Sequence, residues 1–508
     1  MCSATMRPGA LPGVRRSFPA SRRSSHASAQ ALTRAFGQPG FLAVFPVQSA
    51  DTDPDIGSAK RMNTPARATT NAPDQHRLAP PRTTTGYALP GDFWLSFHAS
   101  HWEKIGAVLA QPFAAPIASP EEGFACLVAA SDRFRAGDRN VRLEFCIGHA
   151  QLLADVGRYL PERADGTPAG YAERVTNLLE GRRFGLVVED VQAYDATLWL
   201  RLRDYLRGLY ELTGMPADSA KATVFLGNYD RTPFGLHRGS SGNFMFVVDG
   251  AKRMRTWPDA FFTGKEDLTH KLDYAAYNAD SIVMDAGPGD VIYWPSDYWH
   301  IGESVDGGLS SAVSVALFMD PRLTSDVIAR AARMIGTHHA AREHAGPLVV
   351  RPTSIGDIAS DIDRVTTNAT SALQAVSTDA SLFRTLRVGL MNKTTGYGFT
   401  RPPDALPHVS LADGDTVRGF ADYPIIWAHA DDDDIICSAN GHAFSIAASP
   451  KLFALLERIN GGTASGVAGL VAEFAGVVEA GGVAFETTAD DVRGVLEKLL
   501  SLRALIVC

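Results

Sequence analysis

Nothing in the 508 residues approaches eighteen consecutive apolar positions, so a membrane-spanning helix is excluded and no membrane association is expected. Cysteine is scarce. Cys2, Cys126, Cys146, Cys437 and Cys508 are odd in number, widely spaced and without a C-x-x-C pair, which excludes a disulfide framework or a thiolate zinc site. A reducing, cytoplasmic setting fits. Acid is absent before Asp51, and residues 1–85 hold eleven of the 48 Lys and Arg against four of the 56 acids. The remainder therefore carries a surplus of fifteen acidic charges, a poor match for a phosphate backbone. Nucleic acid is not expected as a partner.

What is present is globular composition, 45% hydrophobic with 46 Gly and 29 Pro, in a chain long enough for several cores. Residues 1–85, rich in Arg, Ser, Ala, Pro and Thr, have too little apolar periodicity to offset ordering entropy and read as a disordered or mis-started extension. Their Arg-rich, acid-poor start also resembles an organelle transit peptide, and Met62 opens a second polar lead-in. Residues 86–321 follow as the main unit. An aromatic-rich helical pattern is expected over Asp92 to Leu109, and a second helix over Ala196 to Gly214, with Leu198, Leu202, Leu206 and Leu209 on one face and a Gly stop. Between Ala222 and Pro321 the period turns to alternation in short runs bounded by Gly, Pro or Asp, the pattern of an antiparallel barrel or sandwich. Residues 322–392 return to helical spacing, with Ile355, Ile358, Ile362 and Val365 suited equally to a homodimer contact or to a core. Residues 393–508 read strand, helix, helix, helix, with Ser449 and Thr488 as N-caps, a winged-helix-like module. Few of its residues are basic, so peptide docking or dimer support fits it better than DNA binding. The run Asp431 to Asp434 lacks the spacing of a calcium loop and reads as a solvated turn, and His338, His339 and His344 as surface residues.

The chemistry concentrates in Thr232 to Pro258 and Asp285 to Ser304. His237 precedes one expected strand and His300 follows another, a placement from which two imidazoles can converge on one metal. In the run Lys252 to Trp257, Lys252, Met254 and Thr256 share one face, the better lining for an interior. A lysine inside an apolar enclosure calls for an anion, and a bound carboxylate is the obvious one.

These segments resemble the JmjC and cupin-like Fe(II)/2-oxoglutarate oxygenases, including the bacterial ribosomal-protein and asparaginyl hydroxylase branch. His237 stands at the first histidine of H-x-D, Asn243 and Phe244 at N-F, Gly250 and Lys252 at G-x-K, and GPGDVIYWPSDYWH closes on His300. HWEK, His101 to Lys104, resembles that branch's entry motif. The resemblance implies an α+β fold: a double-stranded β-helix (cupin, jelly-roll) barrel with flanking helices, a helical dimerisation-type segment and the terminal winged-helix-like module. It further implies Fe(II) on His237 and His300, 2-oxoglutarate as cosubstrate with Lys252 on its distal carboxylate, and O2. Tyr229, Thr232 and Ser314 would hydrogen-bond the cosubstrate, and Asn243 would lie near the iron. The substrate would be a peptide or protein side chain, or a small molecule.

One position departs from that pattern. Gly239 stands where the family's carboxylate ligand belongs. Three outcomes stay open: hydroxylation with a water, a chloride or another acid completing the metal, halogenation with halide in that place, or a noncatalytic cupin-like binding protein. Asp230, Asp249 and Glu303 are the nearest acids that could substitute.

Overall fold

In a computed structural model the described residues are 76–83, 85–263, 273–319, 380–429 and 434–508, with single positions at 367, 370, 371 and 374. The expected extension over 1–85 therefore falls almost wholly outside them, as do most of the helical segment 322–392 with its isoleucine stripe, the late histidines and most of the aspartate run.

Thirteen strands build two facing sheets. They are β1 (Arg77–Leu78), β2 (Ala107–Leu109), β3 (Leu143–Ile147), β4 (Ala150–Gln151), β5 (Phe184–Glu189), β6 (Ser219–Gly227), β7 (His237–Arg238), β8 (Gly242–Asp249), β9 (Lys252–Trp257), β10 (Ile282–Ala286), β11 (Val291–Trp294), β12 (Trp299–Ser304) and β13 (Ser310–Phe318). The large sheet runs β1-β2-β11-β8-β13-β6-β5-β3-β4 and the small one β10-β9-β12-β7. All pairings are antiparallel except β1 with β2.

Side-chain alternation divides each strand between two environments. On the large sheet Phe244, Phe246, Val224, Val313 and Val315 turn to a core shared with the helices, where Trp94, Phe97, Trp199, Leu202, Tyr205, Leu206 and Leu209 are buried. The helix Ala196–Thr213 forms as the leucine spacing predicts. Asp195 caps it by accepting from the Thr197 and Leu198 amides, and Gly214 ends it. The opposite face, with Met245, Val247, Ile292, Trp294 and Ala312, meets Met254, Met284 and Ala286 of the small sheet in a second apolar cluster. That interior between the sheets holds the candidate site. The hairpin joining β8 to β9 needs Gly250, whose φ is +66° and where a Cβ would lie 2.3 Å from the Leu309 carbonyl oxygen.

Two expectations are corrected. The helix read over Asp92 to Leu109 covers only Gly91–Ser100, and β2 follows the His101 to Lys104 turn, because residues 107–109 bond to β1 and β11. His237 precedes β8 and His300 follows β11 as expected, and each is itself paired, in β7 and β12. Ser449 starts the helix Pro450–Asn460 without a capping bond, since its hydroxyl is 2.5 Å from that of Thr487. Thr488, in contrast, forms a capping box with Asp491.

Residues 411–505 gather a separate core from the helices Pro450–Asn460, Val467–Phe474 and Ala489–Ser501 with Ile425, Ile435 and Cys437. A hairpin, Gly476–Ala480 with Val483–Thr487, stands between the last two helices, an element the strand-and-three-helix reading missed. A buried cation ties this core to the helix Ala196–Thr213. The Arg203 guanidinium sits 3.3 Å from the Tyr423 ring centre and 4.8 Å from that of Trp199, and donates to Asn440 Oδ1 at 2.8 Å.

Candidate functional site

Strand register places the key side chains in rows across the small sheet. Thr256 on β9, His300 on β12 and His237 on β7 lie directly opposite one another, on the face that also carries Met254 and Met284. Lys252 pairs with Ser304 and Ala286 four positions along, about 13 Å by strand rise. Met254 and Gly302 occupy the row between. The parity argument for an inward Lys252, Met254 and Thr256 is what the register shows.

The two imidazole rings are 4.3 Å apart, centre to centre. Each Nδ1 faces a backbone carbonyl two residues earlier: Gly235 O at 2.9 Å for His237 and Tyr298 O at 3.0 Å for His300. A carbonyl accepts only, so in the neutral rings Nδ1 carries the hydrogen and Nε2 the lone pair, the tautomer that binds metals. Burial, helped by the neighbouring His237, pushes the His300 pKa down to about 3, which keeps that ring neutral.

Lys252 is buried, and its Nζ donates to the Tyr229 hydroxyl at 2.7 Å. Among the described residues no carboxylate pairs with it, and burial alone lowers its pKa to about 7. Tyr229 is seated because Gly227 and Gly185 lack side chains: a Cβ there would lie 2.6 Å and 3.1 Å from its ring. Burial raises the phenol's pKa, so it stays protonated. The Thr232 amide donates to Gly302 O at 2.8 Å, while its buried hydroxyl has no partner among the described residues. Ser314 is buried opposite Met245 and Thr223, on the interior face. Asn243, also interior, donates its amide to Ser241 O at 2.7 Å.

Gly239 faces the His300 imidazole. A Cβ built on it would lie 3.4 Å from His300 Cε1 and 3.9 Å from Ser241 Oγ, ordinary contact distances. None of the three acids substitutes in the position left by the missing side chain. Glu303 has the outward parity of β12 and pairs with Arg255 at 3.0 Å, Asp230 bonds to Arg183, and Asp249 accepts from the Gly250 amide at 2.8 Å. Among the described residues no three of His, Cys, Asp and Glu are placed to hold one metal ion. The donor set thus fits two positions of a divalent metal, and a third ligand has to come from outside these side chains.

Several contributors escaped the sequence reading. Gly302 clears the middle row, where a Cβ would meet Thr232 Cγ2 at 3.2 Å. Glu103, in the HWEK turn, accepts from the Ser296 amide at 3.1 Å and from its hydroxyl, while Tyr298 donates to Lys104 O at 2.6 Å. That turn therefore braces the loop delivering His300, and the Asp297 amide ties the same loop to Gly239 O at 2.8 Å. Asp290, of the P-G-D turn, serves architecture: it accepts from Arg77, from the Gln111 amide and from the Gly287 amide. HWEK and P-G-D are visible as motifs, but bonding partners of Glu103 and Asp290 lie 193 and 179 residues away.

Fold and site together define a two-sheet α+β protein whose interior has paired imidazoles at one end and an ammonium group at the other. No family model and no curated protein matches the chain. Among solved structures it is similar to the ribosomal oxygenase YcfD from Escherichia coli, at 14% identity over 84% of this chain and 99% of that one, with a TM-score of 0.38. The same protein in complex with cobalt and 2-oxoglutarate aligns at 14% identity over 82% and 98%, TM-score 0.38. Oxalate decarboxylase from Bacillus subtilis aligns at 12% identity over 27% of this chain and 26% of that one, TM-score 0.17. Likenesses this distant bear on neither activity nor substrate. Among the described residues no helix is long and apolar enough to cross a membrane.

Proposed function

We propose that the chain is an Fe(II)/2-oxoglutarate-dependent oxygenase built on a cupin-type barrel, acting on a C–H bond of a peptide or protein side chain or of a small molecule. The observation that carries this reading is the buried Lys252 amine, without a carboxylate partner among the described residues, facing the same interior as His237 and His300. A cation so placed is costly unless an anion joins it. The 13 Å between the rows suits a short dicarboxylate held at one end by the extended lysine and at the other by a metal on the imidazoles. When bound, Fe(II) with O2 supplies the oxidising chemistry. His237 and His300 would hold it through Nε2, their Nδ1–H groups anchored to backbone. Lys252, kept in place by Tyr229, would fix the distal carboxylate, with Thr232 and Ser314 on the interior walls beside it. Methionines, Trp294 and Ile292 would exclude bulk water.

The Gly239 geometry favours a second reading at the same site, with halide as the external third ligand and halogenation as the outcome. We also place the terminal core, with its three helices and hairpin, as a winged-helix-like module, and residues 86–321, 322–392 and 393–508 as successive units of a homodimer. The test is oxygen-dependent conversion of 2-oxoglutarate to succinate by the Fe(II)-loaded protein. Succinate formation supports the reading, and halide in a product selects the second version. No succinate and no 2-oxoglutarate binding would leave a noncatalytic binding protein.

A further inference from the structure

Among the described residues, two hydrogen-bond donors beside His300 have no acceptor. Thr256 is fully buried directly opposite His300, its hydroxyl without a partner. Trp294 comes from the facing sheet. Its ring centre is 5.3 Å from that of His300, and its buried Nε1–H also lacks an acceptor. Trp294 lies in the apolar cluster with Met254, Met284 and Ile292, and Thr256 pairs with Ile282 at its edge, so valine and phenylalanine would fill these positions without burying an unmatched polar atom. The indole N–H can only donate. Whatever satisfies the indole must therefore bring an acceptor, which an ammonium or an aliphatic group at that end cannot supply.

We propose that Thr256 and Trp294 form a donor pair that hydrogen-bonds the carboxylate end of the ligand seated at the imidazole pair. This makes them binding residues beyond His237, His300 and Lys252, and it makes the imidazole end selective for an oxyanion. The inference rests on the proposed function for the presence of metal and dicarboxylate there. It differs from that reading in assigning the selectivity to side chains that neither ligate metal nor touch the lysine end.

The test measures 2-oxoglutarate binding to the cobalt-loaded full chain by calorimetry, together with the melting temperature of the metal-free protein. Thr256→Val should weaken 2-oxoglutarate binding about tenfold, with Thr256→Ser close to wild type. Cobalt uptake should be unchanged, and the metal-free Thr256→Val protein should melt at or above the wild-type temperature, because an unmatched hydroxyl has gone. Trp294→Phe should weaken binding in the same direction. If the wild type binds cobalt and 2-oxoglutarate but Thr256→Val and Trp294→Phe bind it equally well, the donor pair is overturned and the proposed function stands. If the wild type binds cobalt and no 2-oxoglutarate, both fall.

Discussion

At the scale of residues, Lys252 and Gly239 can each be tested by a single substitution. Lys252 has its pKa lowered to about 7 by burial. The unfolded chain keeps that proton up to the ordinary lysine value, so between about pH 7 and 10 unfolding takes up a proton and stability rises with pH. Below pH 7 the contribution is flat. Lys252→Met should remove this slope and stabilise the ligand-free protein at pH 7 by on the order of 1–3 kcal/mol in urea unfolding. The same change should cost at least about a hundredfold in 2-oxoglutarate affinity, because the charge that meets the distal carboxylate is gone. In the wild type the ligand draws the amine back to ammonium, so affinity should fall as pH rises above about 7, by up to about tenfold per unit. Gly239 offers the converse test. Its Cβ direction points at His300 without collision, so Gly239→Asp should complete a two-histidine, one-carboxylate face and raise Co(II) affinity at least about tenfold. An unchanged affinity in calorimetry would show that the glycine is not at the metal's third position.

At the scale of elements, β12 does the positioning. It brings His300 opposite His237, sets Gly302 in the middle row and carries Glu303 outward to Arg255. Gly302→Val should fill the space between the imidazole and ammonium ends, where even a Cβ meets Thr232 at 3.2 Å. We expect 2-oxoglutarate binding to drop by at least about tenfold while Co(II) alone still binds. This is also where legibility in the sequence divides. Alternation made the inward face of Lys252 to Thr256 readable, and the leucine spacing made the helix Ala196–Thr213 readable, because both follow from local periodicity. Pairing register is not local. That Thr256 stands beside His300, that Gly227 makes room for Tyr229, and that Glu103 braces Ser296 depend on residues far apart in the chain. The helix expected through Leu109 failed for the same reason, since edge pairing with β11 overrode a helical pattern.

Across the whole molecule, the terminal core is held to the rest by Arg203, stacked on Tyr423 and bonded to Asn440, whose own amide donates to Leu502 O at 2.9 Å. Arg203→Met should destabilise the chain by roughly 2–4 kcal/mol and split its urea unfolding into two transitions, with Arg203→Lys failing to restore one. Such a result would assign this contact to assembly, leaving chemistry to the interior between the two sheets. The proposed function requires paired imidazoles and a lysine to share that interior with a metal and a dicarboxylate. Anaerobic titration of the protein with Fe(II) and 2-oxoglutarate tests it most directly. A visible metal-to-ligand charge-transfer band should grow to one equivalent and be lost in His300→Ala. No band from the folded wild-type protein at saturating iron would contradict the account.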